Sequence, residues 1–86
     1  MNSKHIVDFK KKYGYNITQL TKIYSSIITK RGVDLIFEKS VKAYGNGNEK
    51  AVSKREWAFS RLASVILGRN ARTVDKDIWM KYKIKN

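Results

Sequence analysis

The chain contains no cysteine, no proline and a single histidine among its 86 residues. The first absence excludes disulfides, thiolate nucleophiles and cysteine-based zinc sites. The second means that no helix is forced to break by an imino acid. One imidazole, His5, rules out a multi-histidine metal site, and no metal or other cofactor is expected. Acidic residues are also scarce, 7 against 19 Lys and Arg, leaving a net charge of +12 and a pI near 10.1. No apolar run approaches the roughly 18 residues that a membrane-spanning helix needs, so no membrane partner is expected. The opening residues Met1 to Asp8 turn charged at once and lack an apolar core, so secretion by a signal peptide is not expected. Apolar content of 42% supplies a small core and is too high for a disordered basic tail.

Spacing, punctuated by Gly14, Gly32, Gly45, Gly47 and Gly68, organises what is present. Ile6, Phe9 and Tyr13 form a first helical stripe over Lys4 to Lys12. A turn at Tyr13–Asn16 follows, with Asn16 as the expected N-cap of a helix over Ile17–Arg31. That helix carries Ile17, Leu20, Ile23, Tyr24, Ile27 and Ile28 on one face, with Gly32 as its expected stop. Val33–Tyr44 repeats the pattern, and Gly45–Val52 reads as a flexible loop. Ser53-Lys54-Arg55-Glu56 is a capping box, with Val52 and Trp57 placed for a hydrophobic staple, and it opens a helix that runs to Leu67. Thr73 is the expected cap of a last helix, Val74 to Lys83, with Asp75 and Asp77 as first-turn acids. The expected fold is all-α: four to five short helices around a single small core in one domain, residues 1–86.

Catalysis lacks its usual parts. His5 is isolated near a terminus. Asp75 and Asp77 lie two residues apart on a helix, where side chains diverge by about 200° and cannot share one ion. No G-x-x-x-x-G-K-S/T, G-x-G-x-x-G or G-x-S-x-G pattern occurs. An enzyme is therefore not expected. The positive signal is charge, and within it the arginines: of Arg31, Arg55, Arg61, Arg69 and Arg72, four fall between residues 55 and 72. Arginine grips phosphate bidentately and stacks on bases, which lysine does less well. The expected phosphate contacts are Lys54, Arg55, Arg61, Arg69 and Arg72. Trp57 stands one turn before Arg61, where the two form either a self-contained cation–π pair or a joint platform. Gly68–Thr73, with the free amides that follow the Thr73 cap, reads as a phosphate nest, although Asp75 and Asp77 in the same turn oppose an anion. Lys10, Lys11 and Lys12 add to the field.

Ser53–Ile66, a short glycine-bearing basic turn, Ala71-Arg72 and Asp75-x-Asp77-Ile78 together resemble a segment of small bacteriophage-encoded proteins of uncharacterised activity. The matching residues are Trp57, Arg61, Ser64, Gly68, Ala71, Arg72, Asp75, Asp77 and Ile78, about a third of the chain. The resemblance implies a phage-type origin, hence the cytoplasm of a host cell or a virion, and no mechanism. The function expected is nucleic-acid binding through phosphates, largely without sequence specificity, DNA being favoured over RNA. The alternative is a protein-binding module, as a virion component or an inhibitor of an acidic host enzyme, drawing on surplus aromatic side chains. Assembly into a homo-oligomer is compatible with either.

Overall fold

The computed structural model describes residues 4–44 and 53–84. Among them the chain forms α1 (Lys4–Tyr13), α2 (Leu20–Ser26), α3 (Lys30–Tyr44), α4 (Lys54–Ile66), α5 (Asn70–Val74) and α6 (Lys76–Tyr82). The fold is all-α around a small core. The expected loop at 45–52, and the staple residue Val52 with it, lie outside the described residues.

The core is built on α4. Leu62, Ala63 and Val65 are fully buried there, and α4 packs against α1, α3 and α5 while α6 lies on α3. Phe9 from α1, Ile23 from α2, Ile28, and Val33 and Ile36 from α3 close the same cluster. Each such aliphatic side chain contributes about 1.5–3 kcal/mol of burial. The Ser53 hydroxyl accepts from the Glu56 amide at 3.1 Å, which is the expected N-cap of α4. The reciprocal half of the capping box is not formed: Glu56 Oε2 is buried with no hydrogen-bond partner among the described residues. At the other end Gly68, at φ +78°, carries the chain through a left-handed position. Its amide reaches the Val65 carbonyl (3.2 Å) and the Arg69 amide reaches the Ser64 carbonyl (2.9 Å), the paired bonds of a Schellman stop.

The region after Gly14 departs from expectation. Asn16 caps nothing; its carbonyl accepts from the Gln19 amide in a turn, and α2 starts at Leu20. The helix expected to run to Arg31 ends at Ser26. Ile27 caps α2, and Ile27, Ile28 and Thr29, all β-branched, hydrogen-bond to residues 82–84 around one antiparallel bridge. Ile28 bridges Lys83 antiparallel, the Thr29 amide donates to the Tyr82 carbonyl (3.1 Å), and the Ile84 amide donates to the Ile27 carbonyl (2.8 Å). Thr29 then opens α3, its hydroxyl accepting from the Gly32 amide at 3.3 Å. Gly32 is thus inside the first turn of α3 and stops nothing. A β-carbon there would lie 2.6 Å from Tyr82 Cβ, so glycine is needed for the close approach of the C-terminal segment.

The last expected helix is split. Thr73 is exposed within α5 rather than capping a helix, and Asp75 marks the junction of α5 and α6.

Candidate nucleic-acid interface

Three of the arginines expected to grip phosphate are engaged inside the fold. Arg61 projects from α4 and donates twice to Asp75, from Nε to Oδ2 (2.9 Å) and from Nη2 to Oδ1 (3.0 Å). Lys39 of α3 closes on the same carboxylate at 2.9 Å. The Asp75 side chain is 0% exposed and that of Arg61 13%. Asp75 is therefore a buried anchor that ties α3, α4 and the α5–α6 junction, not a first-turn acid. Arg61 does not pair with Trp57. The indole Nε1 instead donates to the Ser40 carbonyl (3.0 Å), and its ring lies against Tyr44. Arg69 reaches across to α1, donating to Asp8 at 2.7 Å and meeting His5 Nδ1 at 3.1 Å. Arg72 folds back on α4, donating to the Val65 and Ile66 carbonyls at 2.9 Å each, and stacks on Trp79 at 4.4 Å. Carbonyls at a helix end are natural partners for a guanidinium.

The expected phosphate nest is absent for the same reason. The Asp75 amide already donates to the Ala71 carbonyl, and the carboxylate beneath it is buried. Six of the nine residues singled out together in the sequence, Arg61, Ser64, Gly68, Ala71, Arg72 and Asp75, lock the α4–α5–α6 corner. Ser64 completes the lock by accepting from the Ala71 amide at 3.1 Å. Of the expected contacts Lys54, Arg55 and Thr73 remain exposed, Arg55 lying over the Phe59 ring at 5.3 Å.

Uncompensated charge collects elsewhere. From Phe9 to Val33 the chain has no Asp or Glu, against Lys10, Lys11, Lys12, Lys22, Lys30 and Arg31. Among these only Lys30 has an ion pair with a described residue, with Asp34 at 3.0 Å, and that carboxylate raises the Lys30 pKa. Lys10, Lys11 and Lys12 form the exposed last turn of α1. Tyr13, the last residue of α1, and Tyr15 in the turn beyond are half-buried. Tyr13 stacks on Phe9 at 4.7 Å and Tyr15 meets Phe9 edge-on at 5.5 Å. Lys12 lies over Tyr13 at 5.6 Å and Lys22 over Tyr15 at 5.1 Å. Beside this end of α1 a groove of about 430 Å³ is lined by Ile6, Val7, Lys10, Lys11 and Asn16. A second cavity of about 320 Å³ shares Ile6 and Asn16 with it and extends to Ser53, Arg55 and Glu56 at the start of α4. The sequence signal for this surface was the lysine triplet together with the missing acids.

Neutral imidazole is favoured at His5, whose pKa is lowered by burial and then by the Arg69 guanidinium. The hydrogen bond from Arg69 holds the Asp8 carboxyl below the usual carboxylate range. No group of three or more His, Asp or Glu side chains among the described residues is placed to hold a metal ion. No described helix is long and apolar enough to cross a membrane. Of the ten aromatic side chains Phe9 and Phe59 are buried and the other eight half-buried. Compared with protein-family models, with curated proteins and with solved structures, the chain finds no match in any of the three.

Proposed function

We propose that this protein binds nucleic-acid phosphates, DNA above all, largely without sequence specificity and without catalysis. The surface that does so is the last turn of α1 and the turn beyond it, with Lys54 and Arg55 extending it. The observation that carries the reading is that Lys10, Lys11, Lys12 and Lys22 are exposed with no carboxylate paired to them among the described residues. Lysines placed this way release condensed counterions when they meet a polyanion. Arg61, Arg69 and Arg72 contribute by holding the scaffold. A phage-type origin, with action in a host cell or virion, belongs to the same reading.

Salt dependence tests it. Affinity for a short duplex should fall steeply with salt, each neutralised phosphate adding about −0.9 to the log–log slope. Lys10→Gln, Lys11→Gln and Lys12→Gln together should flatten that slope by about 1–3 without changing the circular dichroism spectrum. A flat dependence in the unaltered protein, or no binding at about 50 mM salt, refutes the proposal.

A further inference from the structure

The groove beside α1 has a shape that phosphate binding alone does not require. Resting on the phosphate-binding reading above, we infer that it seats an unpaired base, so that the preferred ligand is single-stranded nucleic acid. Its lining combines three chemistries. Ile6 and Val7 give an apolar wall, Val7 being 39% exposed. Lys10 and Lys11 provide cations at the rim. Asn16 provides a carboxamide that has no hydrogen-bond partner among the described residues, while its backbone is pinned by Gln19. The Asn16 amide donates to Gln19 Oε1 at 3.2 Å, and its carbonyl accepts from the Gln19 amide at 2.9 Å. A carboxamide both donates and accepts, which matches the edge of a base.

A duplex keeps its base faces stacked and offers this surface only phosphates. A single strand turns a base outward at little cost, so an apolar face enters the groove while the flanking phosphates meet the lysines. The adjoining cavity continues the track toward Arg55, whose exposed guanidinium is placed for the next phosphate. Glu56 lines that cavity and repels backbone phosphate, which leaves its interior to a base.

The test compares an oligothymidylate about 10 nucleotides long with a duplex of the same length. Asn16 and Val7 are exposed, so Asn16→Ala and Val7→Ser should leave the fold intact. Each should lower single-strand affinity about tenfold, the worth of one good base contact, and leave duplex affinity unchanged. In the unaltered protein, titration with the oligothymidylate should shift the NMR signals of the Val7 methyls and the Asn16 side-chain amide, and the duplex should not. An oligouridylate arm separates the sources: tighter binding there assigns RNA, weaker binding DNA. Unmoved Val7 and Asn16 signals in a bound single strand, or equal losses for both ligands in the variants, overturn the base seat and leave the phosphate reading standing. Failure of both single strand and duplex to bind at low salt removes that reading and the base seat with it.

Discussion

Replacing Asp75 by Asn removes the charge from a side chain that is 0% exposed and leaves two cations facing it. Arg61, 13% exposed, cannot turn to water without unpacking α4 from the α5–α6 junction. Breaking such a buried pair from one side costs about 3–5 kcal/mol, because the surviving charge stays desolvated. Lys39 is 46% exposed and swings into solvent, so its share is below about 1 kcal/mol. The Asn carboxamide still accepts one bond from Arg61, which places the expected loss near 3 kcal/mol, the lower end of that range. A domain of this size holds only about 4–13 kcal/mol in total, so Tm should fall by about 12–24 °C. Urea unfolding followed by the fluorescence of Trp57 and Trp79, with far-ultraviolet circular dichroism as a second probe, measures it. The midpoint should drop with the m-value unchanged. Arg61→Met combined with Asp75→Leu should lose less than Asp75→Asn, since no unpaired guanidinium then remains buried. A loss under about 1 kcal/mol for Asp75→Asn would show the carboxylate to be solvated and its pairing with Arg61 to be unimportant.

Two further outcomes follow from neighbouring contacts. Gly32→Ala should destabilise by about 1–3 kcal/mol, despite the better helix propensity of alanine, because its methyl meets Tyr82 Cβ at 2.6 Å; equal or higher stability in the same unfolding assay would contradict that approach. The His5 titration followed by NMR should have its midpoint below the ordinary value near 6.5, and Arg69→Ala should raise it by removing a facing cation, while an unchanged midpoint would mean that the Arg69–His5 contact is not formed in solution. Since the folded state prefers neutral His5, its contribution to stability is complete above about pH 6.5 and declines as pH falls. Asp8 adds a second decline below about pH 3.9.

Local patterns made the helices legible where the information is local. The stripe of Ile6, Phe9 and Tyr13 places α1, and Ser53 with Gly68 marks both ends of α4. Most of the departures depend on contacts far along the chain, the turn of Asn16 onto Gln19 being a local exception. Ile27 and Ile28 extend the apolar spacing of α2 convincingly, yet Ile27 caps that helix and Ile28 pairs with Lys83 instead of continuing it. Gly32 looks like a helix stop because glycine often is one, whereas its role is to admit Tyr82. Asp75 looks like a dipole-stabilising acid because its partners, Arg61 and Lys39, sit on two other helices. The arginine cluster was visible as charge, but neutralisation by Asp8 and Asp75 and by the carbonyls ending α4 is a property of the folded corner. What survived at the surface is the lysine-rich end of α1, where the one nearby acid, Asp8, is hydrogen-bonded to Arg69 and Lys10, Lys11 and Lys12 make no ion pair among the described residues.

The pairing of residues 27–29 with residues 82–84 also orders events during synthesis. A nascent chain that has not yet delivered Tyr82 leaves the Thr29 amide and the Ile27 carbonyl without partners and the cleft over Gly32 uncovered. The middle of the molecule must therefore wait for residues 82–84 to emerge before it can close. Loss of residues 82–84 should unfasten the interior of the molecule.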